Sequence, residues 1–87
     1  MTDDEIIEAL QRAAESVVGH RIEGVTIESQ LSDLGVDSVG VLEMLGDVEK
    51  TMAVEFNDDE MGAVVSVRDF VGLVRTARAA AERARDR

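Results

Sequence analysis

The chain contains no cysteine, so neither a disulfide nor a thiolate-bound zinc can staple it. It has no proline, tryptophan or tyrosine and only two phenylalanines, Phe56 and Phe70. The core must therefore be aliphatic, and no residue removes a backbone donor from a helix interior. Punctuation falls to glycine. A single histidine, His20, leaves little material for acid–base or metal chemistry. No apolar run approaches a membrane span, and Met-Thr-Asp-Asp-Glu is acidic where a secretory signal needs a basic segment. The expectation is a soluble, cytoplasmic, monomeric protein with neither a nucleic-acid nor a membrane partner.

Basic residues are also scarce, nine against 19 acidic ones, and the deficit is uneven. Residues 1–62 hold 16 Asp and Glu against Arg12, Arg21 and Lys50. Residues 63–87 hold six Arg against Asp69, Glu82 and Asp86. Such a field repels nucleic acid and anionic lipid and speeds encounter with basic protein surfaces. Its plainer purpose is solubility.

What is present is helical periodicity. At 87 residues there is room for one domain, spanning 1–87, with a modest core. Thr2-x-x-Glu5 is a capping box, and Ile6, Leu10, Ala13, Ala14 and Val17 share one face of a helix running to about Val18, stopped by Gly19. Residues 19–36 form a long connection with Val25, Ile27, Leu31 and Leu34 as its pins and one helical turn within 29–34. A second helix runs from Ser38 to about Met52 on a stripe of Val41, Leu45, Val48 and Met52, with Leu42 and Met44 on its flanks. Gly40, Glu43, Asp47 and Lys50 fall on the opposite face, with Val39 and Gly46 at its edge, and the glycines leave backbone open to a partner. Asn57-x-x-Glu60 begins a short helix over about 58–64, weakened at Gly62. Ser66-x-x-Asp69 caps the last helix, which buries Val67, Phe70, Val71, Val74, Ala77 and Ala81 and frays over about 82–87. The fold class is all-α: a small four-helix bundle of three main helices and one short one, with a long loop between the first two.

Intrinsic catalysis is poorly supplied. A serine triad would rest on His20 alone, and paired acids such as Asp3-Asp4 and Asp58-Asp59 sit where helix starts favour negative charge. No stretch has the spacing of a calcium loop or a phosphate-cradling glycine motif. No catalytic residue and no metal site is assigned. Asp37-Ser38 is an ordinary N-cap pattern ahead of the second helix. Taken alone the pair favours the cap; set in the whole chain it also fits modification of Ser38 by another enzyme, because a phosphodiester there would lie at the positive end of the helix dipole. A charge-driven helical adaptor for a basic partner is the alternative of a different class.

Leu31-x-x-Leu34-Gly35-Val36-Asp37-Ser38-Val39-x-x-Leu42-Glu43 resembles the attachment motif of acyl carrier proteins. The resemblance extends in register through Glu49, Phe56, Asp58-Asp59-Glu60 and Ser66-Val67-x-Asp69-Phe70. It implies that Ser38 receives 4′-phosphopantetheine from coenzyme A through a separate phosphopantetheinyl transferase, and that the thiol of this arm carries acyl groups as thioesters. The implied partners include acyltransferase, ketosynthase and other pathway enzymes, met by Asp37, Val39, Glu43, Asp47 and Glu49. A solvated helix face is the bland account of those carboxylates. Gly40, Gly46 and Lys50 depart from fatty-acid carriers, and Asp37-Ser38 is unlike many peptidyl carriers. The resemblance therefore leans towards a polyketide or related specialised pathway, with primary fatty-acid or aminoacyl/peptidyl carriage as alternatives. Met44, Met52 and Met61 either line a pocket for the cargo or are plain core.

Overall fold

A computed structural model describes residues 2–85. Its elements are α1 (Asp3–Val18), a 3-10 turn (Leu31–Leu34), α2 (Ser38–Met52), α3 (Asp58–Gly62) and α4 (Val67–Arg85). The bundle is built from the caps inwards. At α1 the Glu5 N–H donates to Thr2 Oγ1 (3.2 Å) and the Thr2 N–H donates to Glu5 Oε1 (2.9 Å). Gly19 closes the helix at φ 79°, a left-handed conformation that glycine adopts without a Cβ penalty. At α4 the Asp69 N–H donates to Ser66 Oγ, and Asp69 Oδ2 accepts from the Val65 and Ser66 N–H groups. Asn57 caps α3 through the Asp59 and Glu60 N–H groups, and that helix ends at Gly62 rather than reaching Val64. With only five residues it has no further turn to bury.

Ile6, Leu10 and Ala14 from α1 meet Met44, Leu45 and Val48 from α2 and Val67, Phe70 and Val74 from α4 in one core, aliphatic but for its phenylalanines. Four members lie outside the sequence expectation: Ile22, Leu73, and Val54 and Phe56 after α2. Leu73 widens the buried face of α4, and Ile22 pins the loop after α1. Ile22 is held through its backbone as well: its N–H donates to Glu15 Oε2 (2.9 Å), and its carbonyl accepts from Gln11 Nε2 (2.6 Å). Ala81 is only half-buried, and α4 continues past it to Arg85. Part of the expected frayed tail, residues 86 and 87, lies outside the described residues.

The long connection is pinned at both ends. Leu31 and Leu34 are buried, Val25 and Ile27 half-buried. A single antiparallel bridge joins Gln30 to Ser66: the Leu31 N–H donates to the Val65 carbonyl and the Val67 N–H to the Ser29 carbonyl, both at 2.9 Å. This bridge ties the approach to α2 onto the start of α4. The C-terminal end of α2 turns at Ala53, which adopts φ 54° although it is not glycine. Val54 and Phe56 are then buried, with the Phe56 N–H donating to Glu49 Oε2 at 2.9 Å.

Candidate functional site

The 3-10 turn ends at Gly35 in a left-handed conformation (φ 80°) and hands the chain through Val36 to Asp37. Asp37 has extended backbone, and its Oδ1 accepts from the Gly40 N–H at 2.8 Å. Its carbonyl accepts the first intrahelical bond, from the Val41 N–H at 2.9 Å. Asp37 is therefore the N-cap of α2, and Ser38 is the first helical residue.

The capping role open to this pair in the sequence falls to Asp37. Ser38 is exposed, and among the described residues its hydroxyl makes no hydrogen bond. Cα–Cβ bonds in a helix tilt towards its N-terminus, so the hydroxyl leans away from the body of α2. The first N–H groups of α2, at Ser38 and Val39, have no intrahelical acceptor. A phosphodiester on Ser38 would lie beside them, at the positive end of the helix dipole. The donor set fits such a group: a free hydroxyl on the surface, with backbone N–H groups at its foot.

A family model described as the phosphopantetheine attachment site matches residues 8–74. The chain belongs to the acyl carrier protein family. A curated acyl carrier protein from Exiguobacterium is 30% identical over 77 residues, covering 87% of this chain and 98% of the relative. The actinorhodin polyketide synthase acyl carrier protein of Streptomyces coelicolor is 28% identical over 81 residues, 93% of this chain and 94% of its own. The solution structure of its acetyl form superposes with a TM-score of 0.69 at 28% identity, covering 93% and 94% of the two chains. The crystal structure of an acyl carrier protein from Thermotoga maritima shares the fold, with a TM-score of 0.81 at 23% identity over 90% and 92% of the two chains. Family members are carriers of a phosphopantetheine group rather than catalysts. Two carboxyls of this carrier, Glu5 and Asp69, are pushed below the usual carboxylate range. In each the largest cause is a backbone N–H donated to it, from Thr2 to Glu5 and from Val65 to Asp69. Both lie in the first turn of their helices, where these hydrogen bonds favour the ionised form.

Along α2 of the carrier, Val39 and Leu42 are 63% and 55% exposed and lie three residues apart, on one face of the helix. Glu43 and Asp47 are exposed beside them. Neither carboxylate has an ion-pair partner within 4.0 Å among the described residues. The sequence places Leu42 on a flank of the core stripe; the structure puts it on the outer face with Val39. Its spacing from Val39 was the available signal. Glu49 is half-buried and occupied with the Phe56 N–H, and no sequence pattern reports a contact seven residues away across a turn.

Gly40 requires the larger correction. It is buried rather than on the outer face, and the close approach it permits is to α1. Gly46 does lie open, with nothing within 4 Å of the position a Cβ would take. His20 is exposed, its Nδ1 3.0 Å from the Arg21 carbonyl, and no hydrogen bond joins it to Ser38. The three methionines do not converge: Met44 is fully buried core, Met61 is half-buried on α3, and Met52 lines an open groove of about 770 Å³ between α1 and α2 without the other two.

Proposed function

We propose that Ser38 is the attachment point for 4′-phosphopantetheine and that this protein ferries acyl or polyketide intermediates among synthase enzymes in the cytoplasm. The observation that carries the reading is the division of labour at the start of α2: Asp37 takes the cap, so the Ser38 hydroxyl stands exposed and unbonded. In the transfer, a bond forms between Ser38 Oγ and the phosphorus of the arm as the bond to the adenosine 3′,5′-bisphosphate leaving group of coenzyme A breaks. The hydroxyl proton passes to a base of the transferase. Once attached, the arm supplies a thiol, the group this cysteine-free chain lacks, to hold cargo as a thioester.

The chain's own contribution is presentation. Val39, Leu42, Glu43 and Asp47 supply an apolar strip flanked by unpaired acids, which suits basic, partly apolar docking surfaces on a transferase, an acyltransferase or a ketosynthase. Asp37 and Glu49 belong to the same region and contribute by capping α2 and fixing its exit. A polyketide pathway is favoured by the likeness to the Streptomyces coelicolor carrier along nearly the full length of both chains. Structures of that carrier bearing 3-oxo-butyl and 3,7-dioxo-octyl groups are known.

Coenzyme A, Mg²⁺ and a broad-specificity phosphopantetheinyl transferase should add one arm to the wild type and none to Ser38→Ala, read by intact mass. An arm on Ser38→Ala, or none on the wild type, sinks the assignment. A wild type recovered unmodified from a transferase-competent host, with function indifferent to Ser38→Ala, would instead indicate a helical adaptor. Loading of the armed protein by malonyl-transferring or amino-acid-activating enzymes then separates acyl from aminoacyl cargo.

A further inference from the structure

We infer that Gly40 is a positioning residue for arm transfer, setting where the Ser38 hydroxyl is held; this rests on the reading of Ser38 as the attachment point. Gly40 has ordinary helical backbone, so the need is for space and not for an unusual φ. A Cβ at this position would lie 3.1 Å from Val36 Cβ, 3.2 Å from Val17 Cγ1 and 3.4 Å from Asp37 Oδ1.

The three neighbours differ in what they can yield. Val17 is in the last turn of α1, and its Cγ1 can swing away by a change of rotamer. Val36 Cβ is fixed to the backbone, so relief there requires residues 36 and 37 to move, and these carry Ser38. Asp37 Oδ1 is the atom that caps the Gly40 N–H. A side chain at residue 40 therefore presses at once on the seat of α2 against α1, on the approach to the serine and on its cap. Gly46, on the same helix, meets nothing and carries no such constraint.

In-line displacement is sensitive to placement, and a shift of about 1 Å in a reacting group can cost on the order of 10²-fold in rate. The outer strip of Val39, Leu42 and Glu43 faces away from these contacts, so docking should be spared while the chemical step suffers.

The test compares wild type, Gly40→Ala, Gly40→Val and Gly40→Ala/Val17→Ala in arm transfer from coenzyme A by a broad-specificity transferase. Melting temperature and hydrogen exchange of the residue 40 amide are measured alongside. We expect kcat to fall about threefold in Gly40→Ala and about tenfold or more in Gly40→Val. KM should stay within about twofold, because uniform binding is untouched. The residue 40 amide of Gly40→Ala should exchange faster as its cap loosens. Val17→Ala should recover part of the rate and not all of it, since the Val36 contact remains.

Unchanged kcat in both single variants overturns the inference. So does a loss confined to KM, or one that only tracks the unfolded fraction. If Gly40→Val does not fold, Gly40→Ala decides by the same criteria. A wild type that accepts no arm overturns the Ser38 assignment and this inference with it; a wild type modified at the same rate as its variants overturns this inference alone.

Discussion

Removing the Asp37 side chain tests whether this residue acts by geometry or by charge. Asp37→Ala deletes the acceptor 2.8 Å from the Gly40 N–H and leaves one first-turn donor of α2 without its partner. Loss of an N-cap of this kind costs about 1 kcal/mol, within a range of about 0.5–2. For a domain of this size that corresponds to a fall in melting temperature of about 4–8 °C per kcal/mol. Asp37→Asn keeps an oxygen in the same place and gives up only the charge at the positive end of the dipole, worth about 0.3–1 kcal/mol at an exposed site. The thermal ranking should therefore be wild type, then Asn close behind, then Ala.

Arm transfer should show a second effect. In Asp37→Ala the next oxygen able to cap α2 is Ser38 Oγ itself. A serine drawn into capping donates less readily to chemistry, so transfer to Asp37→Ala should fall further than its stability loss explains. Circular dichroism melts and intact-mass time courses on the three proteins are sufficient. Equal melting temperatures for Asp37→Ala and wild type would refute the cap. Equal losses in Asn and Ala would show that charge, not acceptor geometry, is what α2 needs here.

Gly46→Ala should stabilise the fold by about 0.8–1 kcal/mol, because helix propensity is gained where the new Cβ meets nothing; a melt that does not rise contradicts the open site. Glu49→Ala should cost about 1–3 kcal/mol by stranding the Phe56 N–H, while Glu49→Gln, which retains an acceptor, should recover most of it and leave arm transfer at Ser38 unchanged. Asp69 has its folded pKa lowered by the Val65 and Ser66 N–H groups, so the stability it contributes is present above the unfolded carboxylate range and is lost as pH falls through the folded pKa. Melting temperature should accordingly decline below roughly pH 4, and Asp69→Asn should flatten that decline.

The caps were the most legible part of the fold. Thr2 with Glu5 and Ser66 with Asp69 are local patterns whose hydrogen bonds span three residues, and both form as their spacing implies. The entry to α2 was legible for the same reason, since Gly35, Asp37 and Ser38 make a turn, a cap and a first helical residue in close succession. Contacts between distant segments were not legible. Gly40 reads as outward-facing because glycine has no hydropathy to place it, and only the approach of Val17 from α1 shows why it is small. Ile22 is not among the pins the loop's sequence suggests, and only the hold of Gln11 and Glu15 on its backbone shows why it is buried. Ala53 carries no turn signal, and its left-handed conformation is set by burial of Val54 and Phe56 on one side and Glu49 on the other.

The uneven charge of the chain acquires a spatial meaning in the bundle. Arg75 on α4 pairs with Asp3 at the start of α1, and Arg68 pairs with Glu28 in the long loop. Exposed pairs of this kind contribute about 0–1 kcal/mol each, so their effect on stability is small. Their effect on the surface field is larger, because they neutralise acids of α1 and the loop with the arginines of α4. Glu43 and Asp47 on α2 receive no such partner within 4.0 Å among the described residues. Among the acids left without such a partner, which include Asp4, Glu55, Asp58, Asp59 and Glu60, these two lie along the helix that begins with Ser38, near the exposed Val39 and Leu42. A basic partner steered by this field would meet apolar surface on arrival, with the exposed Ser38 hydroxyl at the head of the same helix. Lys50, further along α2, is the one cation set into this stretch, and reversing it to Glu should speed association with basic partners at low salt and lose that advantage as salt screens the field.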